Sequence, residues 1–456
     1  MDAATTSPAE GTAPGTPAEG TGVTAEHWPV RPALAWFSVV VLMFATILGY
    51  LDRQILALLV GPIRASLQIT DFQFSLLQGV AFGLFYAVFG LPFGWLVDRT
   101  SRRGVICVGV LLWSAATVAC GMAQNFEQLA VARFAVGIGE AALLPAVYSL
   151  LADIFPARRL ATAFGLFGTG ATIGSALAYS GGGLMIRHFE KTDGATLPLL
   201  GHLAPWQVVF VVVGLPGLVV ALLPWLVPDL RRQRAATRQV PARPPILPFL
   251  RRNPLYFFCH FVGFGLNATI AFGLAAWIPA LLTRHMGLDI AQAGVLMGTL
   301  GATVGLIGYA GNGWVVDRWF AAGRRDAHLR FYAYGLLAIA AMAPLAYLSA
   351  NLWLFVPFNA LIFIILPFSG PAVAHLQMAT PPELRGQMSA IYALTYNLMG
   401  MCLGPSAVAL ITDYGFHDPQ MIHKSMTIMA VVTALIGSGV FWLGLKPSRR
   451  ALGDMV

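Results

Sequence analysis

Charge is scarce in this chain of 456 residues: 11% are Asp, Glu, Lys or Arg, where a soluble chain carries about 25%. That shortage excludes an ordinary water-soluble enzyme. Cysteine is scarcer still, with Cys107, Cys120, Cys259 and Cys402 all inside apolar runs and none in CxxC or Cys/His spacing, so neither a disulfide framework nor a zinc site is indicated. HExxH and GxSxG are absent, and Gly168-Thr169-Gly170 follows no strand and lacks a third glycine in register. The metalloprotease, esterase and dinucleotide-binding signatures therefore drop out, and with them a polytopic membrane transferase loses its support. No cofactor and no metal are expected.

What the chain has in excess is apolar length. Hydrophobic residues make up 57% and mean hydropathy is +0.72. A spanning helix takes about 20 apolar residues, so the stretch from Trp36 to Gly444 holds about twelve. The chain reads as an all-α membrane protein. Turn and charge signals place spans at 35–62, 74–97, 104–123, 127–151, 160–187 and 206–228, then at 254–284, 291–316, 329–350, 352–376, 387–412 and 424–446.

The formal charge of +8 does not indicate nucleic acid, because such readers gather their basic residues on one folded face. Here they lie between spans. With the N-terminus inside, only Arg64, Arg187, Lys191, Arg284 and Lys424 fall outside and Arg53 and Arg133 within spans, leaving 21 of 28 basic residues on the inner side. By the positive-inside rule both termini are expected in the cytoplasm. Residues 1–34, rich in Ala, Thr, Pro and Gly without a basic n-region, read as a disordered tail. Residues 229–253, rich in Arg and Pro, read as a cytoplasmic linker between six-helix bundles at 35–228 and 254–446, and 447–456 as a tail.

An internal repeat supports the division. Gly94-Trp95-Leu96-Val97-Asp98-Arg99 ends the second span and Gly313-Trp314-Val315-Val316-Asp317-Arg318 ends the eighth, alike but for Leu96 against Val315. Pro156 and Arg159 after the fourth span are echoed by Pro382 and Arg385 after the tenth. Parallel halves of this kind are a transporter architecture, with the substrate site between them near mid-membrane.

Charges within spans cost about 2.5–3.5 kcal/mol each on insertion scales, so those present face a partner or a wet cavity. Four stand out: Asp52 and Arg53 in the first span, Arg133 and Glu140 in the fourth. Asp52 and Arg133 lie about 15 and 9 Å deep at the helical rise, within reach of each other. Two readings stand side by side. The four residues form an ion-pair network that fixes packing, or Asp52 or Glu140 exchanges a proton as its distance to an arginine changes. Candidate cavity residues at mid-span are Tyr148, Thr172, Tyr179, Asn267, Trp277, Asn359, Tyr392, Tyr396 and Asn397. Glycine pairs spaced G-x-x-x-G, such as Gly79/Gly83, Gly90/Gly94 and Gly301/Gly305, are expected to allow close helix packing.

The run Gly94-x-x-x-Asp98-Arg99-x-Ser101-Arg102-Arg103 resembles the loop signature of the major facilitator superfamily, with Ser101 where glycine is commoner. The resemblance implies the two-bundle fold and an inner gate made by Gly94, Asp98, Arg99, Arg102, Arg103 and Asp153, with Gly313, Asp317 and Arg318 as counterparts. Three further stretches, Gly49-Tyr50-Leu51-Asp52-Arg53-Gln54, Arg133-x-x-x-Gly137-x-Gly139-Glu140-Ala141 and Leu151-Ala152-Asp153-Ile154-Phe155-Pro156, are similar to the spinster branch and its bacterial relatives. That likeness implies a proton-coupled carrier of a lysolipid-like or sphingoid-like molecule, with Asp52, Arg53, Arg133 and Glu140 functional. The anion:cation symporters also carry Asp-Arg in the first span, so a small carboxylate stays open as cargo. The expected partners are the substrate, protons and the bilayer; the expected unit is a monomer in a bacterial inner membrane.

Overall fold

Apolar runs of this length cannot leave backbone N–H and C=O groups unpaired in lipid, so each closes its hydrogen bonds internally as a helix. The computed structural model describes residues 28–197, 201–230, 245–381 and 383–453, with the side chains at positions 98, 157, 158, 161 and 306 outside that description. Most of the expected N-terminal tail, much of the linker and Pro382 lie outside the described residues. Among the described residues eleven helices are long and apolar enough to cross a membrane: α1 (Pro32–Leu58), α2 (Asp71–Val97), α3 (Arg102–Cys120), α4 (Phe126–Ile154), α6 (Pro205–Leu226), α7 (Pro254–Arg284), α8 (Ile290–Ala321), α9 (Ala327–Tyr347), α10 (Leu352–Met378), α11 (Arg385–Phe416) and α12 (Pro419–Gly453). Between α4 and α6 runs α5 (Ala157–Lys191), 35 residues long.

The boundaries depart from the sequence reading where tertiary contacts decide them. The first span ends at Leu58, and a separate short helix, Val60–Leu67, carries Arg64, whose side chain is 21% exposed. The stretch expected as a C-terminal tail continues α12 to Gly453 through Pro447, because Ser448, Ala451 and Leu452 are buried against the bundle. A small hairpin, Ala195–Leu197 (β1) against Gly201–Leu203 (β2), antiparallel with Ala195 opposite Leu203, fills the connection before α6.

Helix α10 is broken after Ile365 and resumes at Ser369. The freed carbonyls are taken up by side chains of three other helices. Asn267 on α7 donates to Leu366 O at 2.9 Å, Asn312 on α8 reaches Ile364 O and Pro367 O at 2.9 and 2.8 Å, and the Tyr332 hydroxyl on α9 donates to Pro367 O at 2.5 Å. Each removes a carbonyl that hydrocarbon would leave unsatisfied.

Helix α1 packs along α5, α3 lies between α4 and α6, and α2 lies on α4; in the second half α12 packs on α7 and α9, and α9 on α10. The two sets meet along α5 with α8, α2 with α11 and α1 with α7.

Candidate functional site

The Arg-x-x-x-Gly-x-Gly-Glu run of α4 is built for close approach on two sides. A Cβ on Gly137 would stand 2.5 Å from the Phe82 carbonyl of α2, and one on Gly139 would stand 2.7 Å from Trp113 N and 2.8 Å from Gly109 O of α3. Glycine removes those clashes, so α4 lies against α2 and α3 nearly backbone to backbone. On α1, Gly49 lies beside the Glu140 carboxylate, which stands 3.6 Å from where a Cβ would sit, an ordinary packing contact. The motif glycines thereby set how deeply the motif charges are held.

The four intramembrane charges resolve into two pairs between α1 and α4. Arg133 donates to Asp52 Oδ2 at 3.1 Å, and both side chains are almost wholly buried, at 1% and 2% exposure. The Thr117 hydroxyl of α3 donates to Asp52 Oδ1 at 3.0 Å. Arg53 donates to Glu140 Oε2 at 2.5 Å, with the arginine 16% exposed. The Arg53 guanidinium lies over three rings, 4.6 Å from the Phe82 centroid, 5.0 Å from Tyr86 and 5.1 Å from Tyr50. Arg133 shares the Phe82 ring at 5.3 Å, so cation–π attraction supplements both ion pairs. Arg53 Nε, Arg133 Nε and Glu140 Oε1 are buried without a hydrogen-bond partner among the described residues.

The seam between the halves is closed at one end. There Arg284 of α7 makes two hydrogen bonds to Asp71 at the start of α2, at 2.7 and 2.9 Å, and Arg64 reaches the same carboxylate at 3.0 Å. Asp413 of α11 accepts from Phe72 N at 2.6 Å. Gly79 and Gly83 abut Met401, Gly294 abuts the Tyr179 carbonyl and Gly298 abuts Ser180. Sequence reading missed this cluster because Asp71 and Arg284 are 213 positions apart and resemble ordinary loop charges.

At the other end the seam is open. Gly90, Gly94, Gly165, Gly168, Gly301, Gly305 and Gly313 have nothing described within 4 Å of a Cβ position, so Gly90/Gly94 and Gly301/Gly305 make no close helix contact among the described residues. Tyr148, 46% exposed, faces this opening with its ring against Phe164 and Phe167. Thr172, Tyr396 and Asn397 are half-buried; Tyr392 is buried, with its ring 5.2 Å from that of Tyr396.

Other expected cavity residues are committed elsewhere. Asn267 is buried on the α10 break, the Trp277 N–H donates to Pro405 O at 2.9 Å, and Asn359 accepts from the Tyr347 hydroxyl at 3.0 Å. The Tyr179 hydroxyl donates to Ala275 O at 3.3 Å, bridging the halves at the closed end. These polar groups serve packing, since an unpaired one would be costly in hydrocarbon.

Among the expected gate residues, Arg102 pairs with Asp153 at hydrogen-bond distance and lies 3.8 Å from Asp229. Arg103 donates to Val227 O at 3.4 Å and stands over the Trp225 ring. Arg99 lies over Trp95 and Arg318 over Trp314, in matching positions of the repeat. Asp317 is exposed, and the Asp98 side chain lies outside the described residues. All these contacts stay within one half.

The family model of the Major Facilitator Superfamily matches residues 42–405. The chain belongs to that superfamily. It is a membrane transporter near the spinster branch. It is 26% identical over 431 residues to an MFS-type efflux pump of Mycolicibacterium smegmatis, covering 92% of this chain and 94% of that protein. It is 28% identical over 303 residues to a probable L-galactonate transporter of Escherichia coli, covering 63% of this chain and 62% of that one, so the chain spans less than two thirds of this relative. In fold it matches a bacterial homolog of the human lysosomal transporter Spinster, solved inward-facing and unoccupied, with a TM-score of 0.75, 22% identity and coverage of 94% and 99%.

Proposed function

We propose that this superfamily member is a proton-coupled carrier of an amphipathic organic molecule bearing an acidic group, with Glu140 as the proton site and Arg53 as its counter-charge. The observation that carries the reading is the contrast between the two ion pairs. Asp52 and Arg133 are sealed from solvent, whereas Arg53 is reachable beneath Tyr50, Phe82 and Tyr86. A substrate anion that engages Arg53 weakens its hold on Glu140, and the proton affinity of Glu140 changes with that distance. Binding and protonation are then linked. Aromatic rings and the apolar walls around Tyr148 suit a hydrophobic body, and a lysolipid-like or sphingoid-like molecule combines both features.

In the same reading α5 is the twelfth span, α1–α6 and α7–α12 form two six-helix bundles, and both termini are cytoplasmic. The open end of the seam then faces the cytoplasm, Asp71 and Arg284 face outward, and Asp98, Arg99, Arg102, Arg103 and Asp153 with Asp317 and Arg318 close the inner side when the halves rock. The working unit is a monomer in a bacterial inner membrane. A second reading, a symporter for small organic anions, is favoured by the likeness to the L-galactonate transporter.

Melting of purified protein with lysophospholipids, sphingoid bases and sugar acids at pH 5.5 and 7.5 separates the readings, since a ligand that binds the folded state raises the melting temperature. Stabilisation by lysolipids that is lost in Arg53→Ala supports the first. Stabilisation by sugar acids alone replaces it with the second.

A further inference from the structure

Helix α8 ends in a turn that only glycine makes easily. Gly323 has φ +86°, Gly323 N–H donates to Phe320 O at 3.0 Å and Arg324 N–H to Trp319 O at 3.2 Å, the paired bonds of a Schellman cap. The turn sends Arg324 and Arg325 outward, and α9 starts directly behind them. With Arg330 on α9 and Arg449 on α12 they line a recess of about 570 Å³ together with Asp326 and Tyr334. Asp326, 4% exposed, is the single carboxylate in the lining; it takes Arg330 at 2.8 Å and Arg449 at 3.5 Å. Arg324 lies over the Trp319 ring, and neither it nor Arg325 makes an ion pair among the described residues. Four cations against one anion leave the recess strongly positive.

The recess also lies where the long apolar helices α8, α9 and α12 end. Tyr334 and Trp442, both exposed, meet edge to face at 5.3 Å, and Arg330 lies over Trp442. Exposed Leu337 on α9 and Ile436 and Leu443 on α12 continue the apolar surface away from the helix ends. Interfacial aromatics beneath a basic pocket between helix ends match the chemistry of a lipid with an anionic head and two acyl chains.

We propose that this recess binds the phosphate group of an anionic membrane phospholipid, with Arg324 and Arg325 as the unpaired anchors and the acyl chains lying along Leu337 and Leu443. A guanidinium presents a planar fork of donors to phosphate. The site is separate from the cleft between the halves and does not depend on what the carrier moves.

The test is native mass spectrometry of the full-length protein with phosphatidylglycerol, phosphatidylcholine or inorganic phosphate. The expected result is retention of phosphatidylglycerol over phosphatidylcholine, weakened about 30-fold in the double variant Arg324→Ala/Arg325→Ala and largely kept in Arg324→Lys/Arg325→Lys. Equal retention of the two lipids, or retention that the alanine pair leaves unchanged, overturns the proposal. Should inorganic phosphate bind with no lipid preference, the recess is a soluble-anion site and the lipid assignment fails. Lys191→Ala, at the opposite end, is the control expected to change nothing.

Discussion

The Asp71 carboxylate receives two hydrogen bonds from the Arg284 guanidinium, at 2.7 and 2.9 Å, and so ties the start of α2 to the end of α7 across the seam between the two halves. Asp71 is fully buried, and a planar bidentate pair is among the stronger polar contacts a protein makes. It belongs to the closed end, and the carrier can open there only by breaking it.

Asp71→Ala is expected to free that end. A cysteine in place of Ser180, which abuts Gly298 across the seam, should react with a membrane-impermeant thiol reagent about tenfold faster in the Asp71→Ala background, the effect of losing roughly 1.4 kcal/mol of closing energy. Unchanged labelling would show that the pair is not what holds the seam.

The two intramembrane pairs should respond differently to removal of one partner. Arg133→Ala strands a buried carboxylate and is expected to cost about 3–5 kcal/mol of stability; adding Asp52→Asn should recover part of it. Arg53→Ala, at a partly wet position, should lose ligand binding with a smaller fall in melting temperature. Thermal melts of the three variants decide between the assignments.

Glu140→Gln keeps the size of the side chain and removes its titration. In proteoliposomes, uptake driven by a pH gradient should be lost while downhill exchange of substrate survives. Retention of pH-driven uptake in Glu140→Gln would move the proton site elsewhere, with Asp52→Asn the next variant to examine.

Gly137→Ala places a methyl 2.5 Å from the Phe82 carbonyl. Backbone cannot yield as a flexible side chain does, so α4 must shift, at about 1–3 kcal/mol. The expected outcome is a lowered melting temperature and weakened ligand binding together, because Phe82 carries both arginines. Gly94→Ala, in open space, should leave stability unchanged and slow transport if the inner end closes during the cycle.

Sequence reading located the charges but paired only some of them. Helical rise alone brings Asp52 and Arg133 to similar depth, and they meet. The Arg53–Glu140 contact was not derivable in that way, because it depends on the rotation of α1 about its axis, which its packing along α5 sets. Asn267, Trp277 and Asn359 look like cavity residues by their mid-span position, yet Asn267 and Trp277 donate to backbone carbonyls and Asn359 accepts from the Tyr347 hydroxyl. Periodicity does not encode the break in α10 that Asn267, Asn312 and Tyr332 satisfy.

By itself the sequence determined that the chain lives in a membrane, that its two halves repeat one motif, and that a few charges within the spans need partners, because hydrocarbon forbids unpaired polar groups whatever the arrangement of helices. Which partners those charges take was decided by tertiary structure. The same holds for which end of the seam is shut and where Arg324 and Arg325 stand relative to Arg330 and Arg449. Contacts between residues hundreds of positions apart depend on how rigid helices are rotated and tilted, and the pattern along any one helix does not carry that information.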